Sequence, residues 1–97
     1  MLFTINDSSL TSGSLDSLLR IAPSGAPILL YEDGVFSAME GTRDSQKMID
    51  ALKDHPIYAL DADVEARGLK NIIKGIKIIS YDGFVGLVEE NDVVPWL

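Results

Sequence analysis

The sequence predicts an α/β fold, a single-domain, flavodoxin-like sheet of four parallel strands with helices on both faces. Three observations lead there. Four short apolar runs rich in β-branched residues punctuate the chain, none alternates cleanly between apolar and polar positions, and helical segments lie between them. A run such as Ile28-Leu29-Leu30 needs cover on both faces, which a parallel sheet receives from its crossover helices. Strands alternating with helices in this way call for right-handed crossovers. The expected strand order is 2-1-3-4, because open sheets of this kind commonly reverse at the first strand.

The strands are expected over residues 1–5, 27–31, 56–60 and 76–81. After the first, Leu15, Leu18, Leu19 and Ala22 recur at i, i+3, i+4 and i+7, with Ser14 as N-cap and Gly25 beyond the end. Between the second and third strands, residues 35–39 form a short helix, and Thr42 caps a longer one that turns Met48, Ile49 and Leu52 inward. Residues 61–67 form a brief helix that Gly68 ends in a left-handed conformation, followed by loop. Asp82 takes the N-cap of a last helix in which Phe84, Leu87 and Val88 share one face. The tail Val93-Val94-Pro95-Trp96-Leu97 is apolar enough to require docking, on its own domain or on a partner.

Composition narrows the function classes. The 97 residues suffice for one core, and the 46% hydrophobic and 24% charged content is that of a globular chain. No apolar run approaches the roughly 20 residues that cross a bilayer, and no secretory leader pattern opens the chain, so a cytoplasmic location is expected. A formal charge of -7 repels phosphate backbones and argues against direct nucleic-acid binding. The local basic stretch Arg67, Lys70, Lys74 and Lys77 reads as a solvated face. The absence of cysteine excludes disulfides, thiolate metal sites and a persulfide carried on these residues.

Ligands of open parallel sheets bind outside the carboxyl ends of the strands. There the sequence places Asn6, Asp7, Ser8 and Ser9, then Glu32 and Asp33, then Asp61 and Asp63, then Asp82. An acidic-site, Mg²⁺-dependent phosphoacceptor or phosphohydrolase would use such carboxylates as metal ligands and nucleophile. The simpler reading is that they cap the helices each loop opens. Phosphoryl transfer also calls for a positioned Lys or Arg, and none is evident from the sequence near the strand ends. No G-x-G-x-x-G or G-x-x-x-x-G-K-[ST] cradle exists, so neither nucleotide nor flavin is expected. His55, the single histidine, falls before the third strand, at the opposite edge, and reads as a surface loop residue. No catalytic, cofactor-binding or metal-ligating set emerges.

Several segments, taken in order and spacing, resemble the TusB/DsrH family almost end to end. They are Met1-Leu2-Phe3-Thr4-Ile5-Asn6, then Ile28-Leu29-Leu30-Tyr31-Glu32-Asp33-Gly34-Val35, then Ile57-Tyr58-Ala59-Leu60 with Asp63. Ala66-Arg67-Gly68-Leu69, Ile79-Ser80-Tyr81-Asp82-Gly83-Phe84-Val85 and Trp96-Leu97 complete the set. The resemblance implies a DsrE/DsrF-like fold and a non-catalytic subunit that joins TusC/DsrF-like and TusD/DsrE-like subunits in a dimer of heterotrimers. It implies a relay in which persulfide sulfur passes from a TusA-like to a TusE-like carrier, toward 2-thiouridine at the tRNA wobble position, or, in the Dsr version, sulfur oxidation. It implies no cofactor. DsrH-type members carry a cysteine in the first helix; the matching position here is Leu18, which favours the TusB side and leaves no sulfur-carrying residue to transfer. The candidate partner contact is Val93, Val94, Trp96 and Leu97, and the family-motif loop at the strand ends is Glu32, Asp33 and Gly34.

Overall fold

The computed structural model describes residues 1–8, 12–43 and 45–96. Its elements are β1 (Leu2–Ile5), α1 (Ser12–Ile21), β2 (Ile28–Leu30), a 3₁₀ helix (Glu32–Ala38), α2 (Ser45–Ala51), β3 (Ile57–Leu60), α3 (Asp61–Ala66), β4 (Lys77–Ile79), α4 (Tyr81–Glu90) and β5 (Val93–Pro95). All strands are parallel, in the order β4-β3-β2-β1-β5. The α/β class and the helix-covered parallel sheet agree with the sequence; the strand number is five, and the order 2-1-3-4 is not the one adopted. The sheet winds one way from β1 to β4 and then returns across itself to place β5 beside β1.

That winding decides what each face carries. Successive right-handed crossovers in one direction stack on one face, and the single returning crossover falls on the other. On the first face Phe3, Ile5, Ile28, Leu30, Ile57 and Ala59 meet Leu15, Leu18 and Ala22 of α1, Val35 and Ala38 of the 3₁₀ helix, and Met48 and Ala51 of α2. Leu18 is fully buried there. On the second face Leu2, Thr4, Leu29 and Leu60 are buried, and α4 is the crossover left to cover them. No residue of α4 is itself fully buried.

Several local expectations shift by a residue or a turn. Helix α1 begins at Ser12, so Ser14 lies inside it rather than at its cap. Thr42 contributes to α2 through its carbonyl oxygen, which accepts the Ser45 N–H at 3.2 Å and the Ser45 hydroxyl at 2.9 Å. In α2, Met48 and Ala51 face inward, Leu52 is half-buried, and Ile49 is 38% exposed. Gly68 ends α3 with a φ of 61°, as its position after Arg67 requires. Ser80, not Asp82, caps α4, accepting the Gly83 N–H on its hydroxyl at 3.2 Å. Phe84 and Leu87 of that helix are half-buried, with Val88 more exposed.

His55 lies at the amino edge of the strands, as expected, but not at the surface. It is 3% exposed, with Nδ1 2.8 Å from the Ala26 carbonyl oxygen. A carbonyl only accepts, so Nδ1 carries the hydrogen. The ring ties the turn before β3 to the turn before β2, beside the Gly25 N–H donated to the Asp54 carbonyl at 2.8 Å.

Residues 93–96 of the apolar tail are docked on their own domain. Leu2 N–H donates to Asp92 O at 2.8 Å and Trp96 N–H to Thr4 O at 2.9 Å, which sets β5 against β1. Because Trp96 donates inward, the neighbouring Pro95 turns its missing N–H to the open edge, where no ladder bond is lost. The Trp96 ring meets Phe3 edge-on at 6.3 Å, and its Nε1–H donates to Ser14 O at 3.1 Å. Tryptophan emission of the isolated chain is therefore expected to be blue-shifted, and Phe3→Ala is expected to move it to the red. A water-exposed spectrum in the folded chain would contradict this packing.

Candidate functional site at the strand ends

Parallel register brings the ends of β1 to β4 onto one edge, with Ile5 beside Leu30, Leu30 beside Ala59, and Leu60 beside Ile79. The residues that follow each strand therefore share that edge. Asn6, Asp7, Ser8, Glu32, Asp33, Asp61 and Asp82 are exposed along it, and Asp63 is half-buried. Ser9 lies outside the described residues, as does Leu97.

The centre of the edge is built by the Glu32-Asp33-Gly34 turn. Ile5 O accepts the Tyr31 N–H at 3.0 Å, and the chain then folds back so closely that Gly34 lies against the Ile5 peptide. A Cβ at Gly34 would overlap the Ile5 carbonyl oxygen and sit 2.7 Å from its carbon. The reversal takes Glu32 to a φ of 48°, a left-handed conformation that a non-glycine residue holds only with support. Support comes from the Glu32 N–H, which donates to Asp63 Oδ2 at 2.6 Å.

The other oxygen of Asp63 meets Arg67. The guanidinium reaches Asp63 Oδ1 at 3.3 Å and Asp33 Oδ1 at 2.8 Å through Nη2 and 2.9 Å through Nε. Arg67 thereby joins α3 to the start of the 3₁₀ helix. This corrects two expectations. Asp33 and Asp63 act as a clamp on a cation rather than as helix caps, since the N-cap positions of the 3₁₀ helix and of α3 are Tyr31 and Leu60, with no side-chain cap bond at either. Arg67 is a cation at the strand ends, 25% exposed in its side chain, and not part of a solvated basic face. Spacing alone signals the Asp63–Arg67 pair at i, i+4 on a helix; the partner 34 residues away has no local signature.

Chemically, the edge does little of what a phosphoryl-transfer centre must do. Its one positioned guanidinium is occupied by two carboxylates of the same chain, and among the described residues no group of three or more His, Asp or Glu side chains converges on a metal position. Beside the clamp, Tyr31, Phe84 and Tyr81 form an aromatic step, Tyr31 edge-on to Phe84 and Tyr81 stacked on it, both at 5.8 Å. Lys70, Lys74 and Lys77 are exposed, as the sequence implies. Of the candidate contact at the tail, Val94 and Trp96 pack on the core and Val93 is 40% exposed.

Substitutions separate these roles. Gly34→Ala is expected to destabilise by about 3 kcal/mol, because backbone must move to admit the methyl group. Gly86→Ala, at a helical position with open space around it, is expected to stabilise by up to about 1 kcal/mol. Urea unfolding reads both signs. Asp63→Ala is expected to cost about 2 kcal/mol, since it strands both the Glu32 N–H and one side of Arg67, whereas Asp33→Ala, at a more exposed carboxylate, costs less than about 1 kcal/mol. Equal effects at the two positions would contradict the clamp.

The family model "DsrH like protein" matches residues 7–94. The chain is 36% identical over 92 residues to protein TusB of Serratia proteamaculans, covering 94% of each chain. It is 37% identical over 84 residues to protein TusB of Pectobacterium carotovorum, covering 84% of this chain and 86% of that one. Among solved structures, a protein of unknown function from Methanobacterium thermoautotrophicum shares the fold with a TM-score of 0.76 at 14% identity, over 97% of this chain and 96% of that one. A Thermotoga maritima protein does so with a TM-score of 0.61 at 23% identity, over 94% of each. Matched over nearly its whole length by the family model and by relatives above 30% identity, the chain belongs to the DsrH-like family.

Proposed function

We propose that this chain is a non-catalytic, cytoplasmic subunit of a sulfur-relay assembly that supports thiolation of the tRNA wobble uridine. The observation that carries this reading is the likeness to TusB proteins over most of both chains, at 36% and 37% identity. Its companions in the assembly are a TusC-like and a TusD-like subunit, with TusA-like and TusE-like carriers delivering and receiving sulfur. No described helix is long and apolar enough to cross a membrane, which is compatible with that setting.

The chemistry of transfer limits what these residues contribute. Persulfide exchange needs a thiolate whose sulfur attacks and then leaves, and neither a methionine thioether nor a carboxylate performs that step. The chain has three Met and no Cys. Its part is therefore structural: it holds a companion subunit's reactive cysteine in place or shapes the surface on which a carrier docks. Of the tail residues, Val93 is the described one that offers apolar contact surface, because Val94 and Trp96 are engaged in the core.

Three measurements test the reading together. Affinity purification at endogenous level is expected to recover the chain with two DsrE-like companions, and deletion of its gene is expected to lower 2-thiouridine in tRNA. When the purified assembly is loaded with ³⁵S-persulfide and its subunits are separated without reductant, label is expected on a companion. Stoichiometric, reductant-labile label on this chain, or unchanged 2-thiouridine on deletion, would sink the proposal.

A further inference from the structure

Strand β4 is one of the two open edges of the sheet, and it differs from the other in proline content, in cover and in charge. The β5 edge is closed by Pro95. The β4 edge has no proline, and its cover is thin. Helix α3 is six residues long and packs over β3 and the 3₁₀ helix, so Ile78, which shares the face of Ala59, is left 45% exposed. Tyr81, two residues beyond the strand, is 67% exposed, with one ring face stacked on Phe84. Two of the most exposed large apolar side chains thus lie within four residues of each other on one edge.

The segment that leads into this strand, residues 70–77, is where uncompensated positive charge collects. Among the described residues, Lys70, Lys74 and Lys77 make no ion pair, although the chain carries fifteen acidic residues and Arg67 nearby is doubly paired. Lys77 instead lies over the Tyr58 ring, 5.7 Å from its centre, where its charge stays at the edge of the sheet. Lysine on an edge strand deters pairing with another neutral or basic strand. It favours an acidic one, whose backbone bonds the strand while its carboxylates meet the lysines.

We propose that the β4 edge, with Ile78, Tyr81 and the lysines at 70, 74 and 77, is the face on which an acidic companion subunit docks by adding a strand or an extended loop. The inference rests on the sulfur-relay reading in taking the companion to be another subunit of that assembly. A second copy of this chain fits poorly. A two-fold contact presents the same patch from both sides, which would set lysines against lysines. RNA fits less well still, because three lysines neutralise few phosphates on a chain of charge -7, and Ile78 would be left without an apolar partner.

The test uses the whole assembly, made by co-expressing this chain with its two companion subunits. A photo-crosslinking phenylalanine derivative replaces Ile78 in one preparation and Ile21, exposed at the end of α1, in another. The Ile78 position is expected to yield a covalent adduct with a companion subunit in higher yield than the Ile21 position. The variant K70E/K74E/K77E is expected to remain folded, its melting temperature lowered only by the loss of the Lys77 contact over Tyr58 since none of the three makes an ion pair, and to lose at least about tenfold in affinity for that companion. Added salt is expected to weaken the parent assembly in the same direction. Assembly of the triple variant at parental affinity, or no companion adduct at position 78 in an intact assembly, overturns the docking face and leaves the relay reading standing. So does an adduct between two copies of this chain, or a triple variant that loses only RNA retention. Failure of the parent chain to assemble with either companion removes both.

Discussion

The carbonyl group of Ile5 accepts the Tyr31 N–H and is overlaid by Gly34, and the shape of the strand-end edge follows from that contact. Only a residue without a side chain can lie there, so the turn after β2 must reverse tightly. Tight reversal sends Glu32 into a left-handed conformation and points its N–H at Asp63. With one oxygen of Asp63 so committed, the other receives Arg67, which returns to Asp33 and closes the circuit. Three segments remote in sequence, the ends of β1 and β2 and the helix after β3, are thereby locked together. The acidic residues that look from the sequence like a set of ligands are in part the counter-charges of this lock.

What the sequence reveals and what it hides divides along the range of the interactions. Elements set by local pattern are legible: the four apolar runs become β1 to β4, the heptad-like spacing of Leu15, Leu18 and Ala22 becomes the buried stripe of α1, and Gly68 ends α3. Strand order is not legible, because winding in one direction and winding with an early reversal both satisfy parallel pairing and right-handed crossovers. Strand β5 is concealed by its shortness and by Pro95, which argues against a strand unless the strand lies at an edge. His55 is concealed by the one bond that justifies its burial, to a carbonyl 29 residues away. At the candidate site the rim of carboxylates is readable from the loops, but the cation among them is not, since its placement depends on a fold-back between Asp33 and Asp63.

Winding also makes the two faces unequal. One carries α1, α2, α3, the 3₁₀ turn and the segment around Ile72 and Ile73, which pairs with Met39 and Ala38. The other has α4 alone, half-buried only over residues 83–87. A domain with one thick and one thin side can devote its thick side to stability and its margins to contact. The core of the thick side includes Leu18, so the position where DsrH-type members are expected to carry cysteine is committed to packing here.

The pairing of β1 with β5 has a consequence for how the chain reaches its native state. Neighbouring strands from β1 to β4 follow one another in sequence, so their contacts form at lower loop-closure cost than the pairing of β1 with β5. The register of Leu2 with Val93 spans almost the whole chain and contributes the most non-local contact in the sheet. During synthesis, β1 is made before β5, with every other described element between them, so the hydrogen-bonding edge of β1 stays vacant while those elements are assembled. Until Trp96 settles against Phe3, the nascent domain exposes an unpaired apolar strand, and the interval before that closure is when it is most open to capture by a chaperone or by a neighbouring nascent chain.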